Sequence, residues 1–228
     1  MKASIIIPAK NENKNLKILL EKIKELYDNQ YEIIVVDDIK SHDQKINYVP
    51  KNLAVKVIKN LDWNGKGYAI KLGFKEATNN IVVVMDADLS HMPEDLEKIL
   101  EPLKSKKIGI VIGSRALGGS DEYTTIRTIG NTLLTGVFNL FFCTSLFDSI
   151  NGYKAMRRDI VETPLKCNNM EIEFEILARC LKMGFKIVEV PSHERVRKYG
   201  KAKLNSLEHG FKFLKQIVWE GIKFRFGF

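Results

Sequence analysis

Residues 82–88 of the chain read VVVMDAD, a short run of buried-strand residues that ends in two acids, Asp86 and Asp88. Two carboxylates separated by the small Ala87 make a site of hard oxygen ligands, which suits Mg²⁺ or Mn²⁺ bridging a diphosphate better than zinc. An Asp-x-Asp triplet by itself also arises in surface turns. Its place directly after an apolar strand favours the metal site, so we predict Asp86 and Asp88 as ligands of a divalent cation.

Strand and helix signals alternate on both sides of this stretch, which predicts an α/β domain with a mostly parallel central sheet. The spacing of apolar residues predicts a first helix to about Tyr27, with Asn11 and Asn13 as its cap candidates, and a helix over 93–104. No internal repeat or low-complexity segment divides the chain, so we expect one domain over residues 1–228. The other predicted elements are strands at 3–7, 33–36, 55–58, 81–85, 108–112 and 187–190, helices at 65–77 and 172–183, and an extended piece at 152–156.

Acidic residues follow several of the predicted strands. Asp37 and Asp38 end the second strand, and Glu12 follows the first strand within the segment Pro8-Ala9-Lys10-Asn11-Glu12. Ligands of open α/β sheets bind beyond the carboxyl ends of the strands, where these acids and the Asp86 pair would converge. Asp38 and Glu12 are therefore candidates to hold the base or ribose of a nucleotide, although an Asp at a loop start also caps turns.

Charge and hydropathy limit the partners. The net charge of +8 and pI near 9.2 indicate an anionic partner, and three cysteines without metal-ligand spacing predict free thiols in a reducing compartment. The uncharged stretch 128–147 is too polar for a confident membrane span. The segment 204–228 is basic and aromatic with helical apolar spacing, so both stretches are predicted either to lie at a membrane interface or to pack on the domain.

Motifs along nearly the whole chain resemble, in the same order, family 2 glycosyltransferases of the polyprenyl-phosphate hexosyltransferase branch, which includes dolichol-phosphate mannose synthases. The resemblance implies a GT-A fold in a single Rossmann-like domain, a nucleotide-sugar donor, Mg²⁺ or Mn²⁺ as cofactor, and inversion at the anomeric carbon. The motifs that carry it are PAKNE, VVDD, GKGYAIKLGF, VVVMDADLSHMPEDL, IGSR, the spaced Arg127, NGYKAMRRD, and EVP followed by RVRKYGKAKL.

The resemblance also assigns roles to individual residues. It implies catalytic roles for Asp88, Arg115 and Arg127. The positions matching the donor site are Pro8, Lys10, Glu12, Asp38, Gly67, Asp86, Ala87 and Ser90, of which Ser90 would lie near the cation. The positions matching the diphosphate and acceptor-phosphate site are Arg115, Arg127, Asn131, Arg197 and Lys203. His91 stands beside the acids but is left out of the metal set.

Three departures from the family pattern leave the sugar open between donors of the GDP-mannose and UDP-glucose type. Ile39-Lys40 stands where the family often has Gly-Ser, and Asn131 stands where many mannose synthases carry Ser. The segment 170–175 is acidic where some mannose synthases present a lysine toward the donor.

Two acceptor classes remain open. A polyprenyl or dolichyl phosphate attacks through an oxygen that is already anionic, so positioning and charge stabilisation suffice. A sugar or other hydroxyl acceptor needs a general base, for which the candidates are Glu171, Glu173 and Asp148. The lipid acceptor is preferred, and it implies a peripheral protein at the cytoplasmic face of a membrane, with a separate membrane subunit as a possible partner.

Two other classes of protein fit the sequence poorly. No GxGxxG follows the first strand, which argues against a nucleotide-binding dehydrogenase. Paired acids at strand ends argue against a nucleic-acid-binding module. We therefore expect no nucleic-acid partner.

Overall fold

The computed structural model describes residues 1–39, 46–62, 64–199 and 206–227, without the side chains of residues 206–209. Strand β4 (Ile81–Val84), which leads into Asp86, lies fourth in a seven-stranded sheet of order β3-β2-β1-β4-β6-β5-β7. All four side chains of β4 are aliphatic, and all are buried because helices cover both faces of the sheet. The other strands are β1 (Ser4–Lys10), β2 (Glu32–Asp38), β3 (Val55–Asn60), β5 (Ile108–Ser114), β6 (Lys154–Arg157) and β7 (Lys186–Pro191).

Strand pairing is parallel except around β6, which runs antiparallel to both β4 and β5. The predicted α/β class with a mostly parallel sheet is therefore confirmed. Parallel register places Lys10 at the end of β1 opposite Asp38 at the end of β2. The carboxyl ends of β1, β2 and β4 thus meet at one edge, as the positions of the acids predict.

Alternate residues of each strand enter two apolar clusters, one on each face of the sheet. Ile6, Ile34 and Val84 face one cluster, whereas Ile5, Ile7 and Val35 face the other. Because side chains alternate across a strand, this pattern requires helices on both sides. The helices are α1 (Asn13–Tyr27), α2 (Lys66–Glu76), α3 (Leu96–Leu100), α4 (Arg115–Gly118), α5 (Thr125–Phe142), α6 (Asp159–Glu162), α7 (Ile172–Lys182) and α8 (Ser206–Phe226).

Two local predictions are wrong. Helix α1 is capped by neither Asn11 nor Asn13: Glu12 is the cap residue, and Asn11 has a left-handed φ of 60°. The predicted helix over 93–104 is divided into the α-helix α3 between two 3₁₀ turns, Pro93–Asp95 and Glu101–Lys104. Pro102 has no N–H to donate and its ring crowds the preceding turn, which explains why the α-helix ends before it.

Helices α5 and α8 pack against each other, and α8 also packs against α7. Gly221 lies so close to the Phe141 ring that an added methyl group would come within 2.5 Å of it. Phe213 and Ile217 are buried in the core, whereas Phe211 and Trp219 on the same helix are exposed. The described part of the 204–228 segment therefore packs one face on the domain and exposes the other, and its place at a membrane interface stays a prediction. Within the described part of the chain, neither of these helices nor any other has the length and apolarity needed to cross a membrane.

Candidate active site

A cavity of about 850 Å³ opens where the carboxyl ends of β1 and β4 meet the helices α5 and α8. One wall is polar and contains Glu12, Asp86 and Asp88, and a second is basic and contains Arg115 and Arg127. The predicted residues that line the cavity are Pro8, Lys10, Glu12, Asp86, Ala87, Asp88, Ser90, Arg115, Arg127, Asn131 and Arg197. Lys203 lies outside the described residues.

Asp86 forms an ion pair with Lys66, a residue for which the sequence motifs predict no role. Lys66, the first residue of α2, places its Nζ 2.5 Å from Asp86 Oδ1. Burial by itself would raise the pKa of Asp86, but the charge of Lys66 outweighs it and lowers the pKa to about 2. Burial would likewise lower the pKa of Lys66, yet the charges of Asp86 and Glu173 raise it. Both groups are therefore charged at neutral pH.

Arg197 bridges the other acids of the polar wall. Its Nη2 donates to Asp88 Oδ2 at 2.6 Å and its Nη1 to Glu12 Oε1 at 2.7 Å. The second oxygen of Asp88 accepts from the Ser90 hydroxyl at 2.6 Å. The segment that carries Arg197 is tied to the same loop, since the Arg195 N–H donates to the Ser90 carbonyl at 3.0 Å. Ser90, which the family resemblance implies to lie near the cation, here fixes Asp88 through this bond.

His91 is hydrogen-bonded to the backbone of the loop that carries Asp86. Its Nδ1 accepts from the backbone N–H of Asp86 at 3.1 Å, so its Nε2 is the donor to Asn151 Oδ1, also at 3.1 Å. The ring is buried and stacks on Tyr153 with centroids 4.9 Å apart. With both nitrogens engaged, His91 has no lone pair left for a cation, in agreement with its omission from the metal set.

Two of the predicted donor residues do not line the cavity. Asp38 pairs with Lys10 at 3.6 Å, and Lys10 is the member of the pair that reaches the cavity. Gly67 is buried against the chain at 168–169, where an added methyl group would lie 2.5 Å from the Asn169 carbonyl oxygen. The structure therefore gives Gly67 a packing role, because only a residue without Cβ lets α2 approach that segment.

The basic wall is organised around a fully buried carboxylate, Asp148. It accepts from Arg115 through Nε at 2.7 Å, Nη2 at 2.8 Å and the backbone N at 3.0 Å. Asn131 adds a fourth bond to Asp148 at 2.9 Å, and its amide also reaches the Tyr123 hydroxyl. Arg127 is looser, 3.5 Å from Glu122 and about one third exposed at 35%. Burial opposes ionisation of Asp148, but the bonds from Arg115 keep its pKa below the usual range.

None of the three candidate bases is placed to take a proton from a bound acceptor. Asp148 is fully buried under Arg115, and Glu173 is buried with its Oε2 2.7 Å from Lys154 Nζ. Glu171 does not line the cavity. Among the described lining residues, every carboxylate also lies within ion-pair distance of a lysine or arginine, namely Glu12, Asp86, Asp88, Glu122 and Glu194.

The third wall is apolar and comes from α5 and α8. Ile126, Leu133, Phe211 and Leu214 line the cavity and are also exposed to solvent. The apolar surface continues past the cavity through Ile129, Leu140, Trp219 and Phe226, the last of these 71% exposed. We call these eight residues the apolar face. A contiguous face of this kind marks an interaction surface more often than chance exposure.

A mostly parallel sheet with the loop Asp86-Ala87-Asp88 after its middle strand, β4, is typical of the GT-A fold. The chain belongs to the glycosyltransferases: the family model described as Glycosyl transferase family 2 matches residues 4–163. The family expected from the sequence motifs is thereby confirmed.

Several relatives are dolichol-phosphate or undecaprenyl-phosphate sugar transferases. A dolichol-phosphate mannosyltransferase of Pyrococcus furiosus is 37% identical over an alignment covering 97% of this chain and 65% of the relative. One from Mycosarcoma maydis is 29% identical over 98% of this chain and 80% of the relative. An undecaprenyl-phosphate 4-deoxy-4-formamido-L-arabinose transferase of Photorhabdus laumondii is 27% identical, covering 91% and 64%. The chain thus spans about two thirds of the length of the Pyrococcus and Photorhabdus relatives.

The solved structures support the fold. Glucosyl-3-phosphoglycerate synthase from Mycobacterium tuberculosis, in a complex with Mn²⁺, UDP and phosphoglyceric acid, superposes with a TM-score of 0.72. The match covers 96% of this chain and 78% of that one at 19% identity. The expected GT-A fold is confirmed.

Proposed function

We propose that this protein transfers a hexose from a nucleotide-sugar to the phosphate of a polyprenyl or dolichyl phosphate. Family membership supports the reaction type, and the mannosyltransferase and undecaprenyl-phosphate transferase relatives support the lipid acceptor. The sugar stays open between donors of the GDP-mannose and UDP-glucose type.

Two features of the described cavity lining together favour a phosphate acceptor. One wall is basic, and every lining carboxylate is paired with a lysine or arginine. A hydroxyl acceptor needs a base within hydrogen-bond reach, and bases of this kind contribute roughly 10²- to 10⁴-fold to a rate. Asp148 and Glu173 are both committed to buried cations. A phosphate monoester is already anionic near pH 7, so it needs cations that position it, and Arg115 and Arg127 provide them.

The donor end of the cavity fits a divalent cation. Mg²⁺ is commonly bound by one or two carboxylates plus substrate phosphates and water, which matches the two acids of the loop. Among the described residues there is no cluster of three or more His, Cys, Asp or Glu side chains that could hold a metal, so donor phosphate oxygens would complete the coordination. Asp86 and Asp88 would hold the ion, which when bound neutralises charge on the departing nucleoside diphosphate.

The other residues of the site position and stabilise charge. Asp148 and Asn131 hold Arg115 on the cavity wall, which fixes the guanidinium without loss of side-chain entropy when a phosphate binds. Lys10 at the end of β1 and Glu12 just after it line the cavity and would contact the nucleoside. Arg197, which neutralises Glu12 and Asp88 in this structure, would exchange those partners for donor phosphate oxygens.

The apolar face supports action at a membrane surface. Its residues line the cavity at one end and extend along α5 and α8 at the other, so a lipid tail can leave the site directly into a bilayer. Lys215 lies on an exposed part of α8, as expected for a helix at an anionic interface. The cytoplasmic location and the separate membrane subunit stay predictions.

A donor and metal screen tests the reaction. Purified protein, stripped with EDTA and resupplied with Mn²⁺ or Mg²⁺, is incubated with labelled GDP-mannose, UDP-glucose or UDP-N-acetylglucosamine and a polyprenyl phosphate. We expect metal-dependent label in the lipid phase with one donor, and loss of at least about 100-fold with Asp88→Asn. Asp62→Asn, which changes an exposed acid that does not line the cavity, is the matched control. Label that is independent of the metal or of Asp88 would contradict the assignment.

A further inference from the structure

We propose that Tyr123 binds the acceptor phosphate through its hydroxyl group, as a third hydrogen-bond donor on the basic wall beside Arg115 and Arg127. The inference rests on the proposed phosphate acceptor. The family resemblance assigns no role to position 123, so the structure adds this residue to the site.

Tyr123 lies on the basic wall of the cavity. It lines the cavity directly before Thr124, the cap residue of α5, and the first turn of that helix contains Arg127. The ring lies over the Arg115 guanidinium, with the Cζ atom of Arg115 4.9 Å from the ring centroid. A cation–π contact at this distance is favourable and keeps the ring next to the guanidinium. The phenol hydroxyl is thereby fixed beside the group that is expected to meet the phosphate.

Asn131 has no amide proton left for a ligand. Its Nδ2 carries two protons and donates to Asp148 Oδ1 at 2.9 Å and to the Tyr123 hydroxyl at 2.6 Å. Its Oδ1 accepts from the Thr135 hydroxyl at 3.4 Å, and the residue is buried. Because many mannose synthases carry a serine here, this chain lacks a hydroxyl at that place. The hydroxyl that Asn131 holds is the one of Tyr123.

The Tyr123 hydroxyl still has its own proton to donate. A phenol has one O–H donor and two lone pairs, and the bond from Asn131 uses a lone pair. Among the described residues, this is the only hydrogen bond that the hydroxyl makes. Burial raises the pKa of Tyr123 to about 12, although the charge of Arg115 opposes the increase, so the phenol is protonated at neutral pH. A free O–H donor on a basic wall suits a phosphate oxygen, since a bond to an anion is stronger than one to a neutral acceptor.

The hydroxyl belongs to the acceptor side of the cavity. Tyr123 contacts Arg115 through its ring and Asn131 through its hydroxyl, and both of these residues belong to the basic wall. The donor diphosphate is expected on the polar wall, at Asp86-Ala87-Asp88. The next residue of the chain that lines the cavity, Ile126, already belongs to the apolar wall. A tyrosine, with an apolar ring and a polar end, suits the boundary between a phosphate and a prenyl tail.

Binding of a soluble prenyl phosphate tests this assignment without turnover. Wild type and Tyr123→Phe are titrated calorimetrically with geranyl phosphate while Mn²⁺ and whichever of GDP or UDP binds fill the donor site. We expect Tyr123→Phe to weaken geranyl phosphate binding by about 10- to 100-fold, because one hydrogen bond to a charged group is lost, and to change nucleotide affinity by less than about 3-fold. Tyr68→Phe, which removes the hydroxyl of a half-buried tyrosine outside the cavity lining, is the matched control and should change neither affinity.

Carbon NMR separates contact with the phosphate from an indirect effect through Asn131. With the ζ carbon of tyrosine isotopically labelled, the Tyr123 resonance is identified by its absence from Tyr123→Phe. We expect geranyl phosphate to move this resonance downfield, because donation to an anion gives the phenol partial phenolate character, and to leave the Tyr68 resonance in place. Thermal melts of each variant check that the fold is retained.

The outcomes decide the assignment. Unchanged affinity of Tyr123→Phe for geranyl phosphate, or a Tyr123 resonance that stays in place when the phosphate binds, overturns it. An equal loss of geranyl phosphate and nucleotide affinity overturns it as well, because it indicates a general effect on the cavity. Failure of the wild type to bind geranyl phosphate would instead overturn the proposed acceptor, and the role of Tyr123 with it.

Discussion

Replacing Asp148 with alanine should destabilise the protein strongly, because it leaves the Arg115 guanidinium shielded and without its main partner. Asp148 is fully buried and accepts three bonds from Arg115 and one from Asn131. Breaking a buried ion pair costs about 3–5 kcal/mol, and we take the lower end, about 3 kcal/mol, since Glu194 stays 3.3 Å from Arg115. For a chain of 228 residues, that corresponds to a fall in Tm of roughly 6–12 °C.

Acid should reduce this difference between wild type and variant. The pKa of Asp148 is lowered in the folded protein, so its stabilisation is complete above the unfolded pKa of about 3.9. It is lost as the pH falls through the lower folded value. The difference in Tm should therefore be near its full size at pH 6 and smaller at about pH 3.

Scanning calorimetry on Asp148→Ala measures both effects, with Asp121→Ala as the control. Asp121 is half exposed and pairs with His193 at 3.1 Å, so its loss should shift Tm by no more than about 2 °C. A shift of under about 2 °C for Asp148→Ala as well, or a difference that does not change with pH, would refute the view that a buried carboxylate fixes the basic wall.

Three further changes have definite expected results. Arg197→Gln should tighten binding of Mn²⁺ alone by about 10-fold in a paramagnetic resonance titration, because the ion no longer competes with a guanidinium for Asp88; unchanged affinity would show that Arg197 does not occupy the place of the cation. The double variant Leu133→Glu/Phe211→Glu should bind anionic vesicles about 10-fold or more weakly than wild type, whereas Leu26→Glu on the exposed side of α1 should bind like wild type. Equal binding by wild type, the double variant and Leu26→Glu would show that the apolar face is not the membrane surface. Tyr48→Phe removes the 2.8 Å bond to the buried Asp37 and should cost about 1–3 kcal/mol in urea unfolding, a loss absent if that carboxyl is satisfied elsewhere.

The fold followed from local patterns in the sequence. Each parallel strand is a short β-branched run, and the acids Asp38 and Asp86 come where such runs stop, so their convergence required only that the strands be parallel. The helix over 93–104 was mispredicted because Pro102 lies within an otherwise regular apolar spacing. The caps of α1 were mispredicted because Asn11 takes a left-handed φ and leaves the cap position to Glu12.

The partners within the site could not be found in the same way. Asp148 lies 33 residues from Arg115, and Asp88 lies 109 residues from Arg197. No periodicity connects such positions, since the pairing depends on where loops of different elements meet. Lys66 is an example. The segment GKGYAIKLGF is recognisable in the sequence, but only the folded chain brings Lys66 next to Asp86 and Gly152.

A comparison of acceptors tests the central claim most directly. The enzyme, with Mn²⁺ and the donor found in the screen, is given a polyprenyl phosphate, the same polyprenol without phosphate, and soluble sugars at matched concentrations. We expect glycosyl transfer to the phosphate and rates at least about 100-fold lower with the two hydroxyl acceptors, because the described cavity offers cations and no free base. Transfer to polyprenol or to a soluble sugar at a rate equal to or above that to the lipid phosphate would contradict the proposed acceptor.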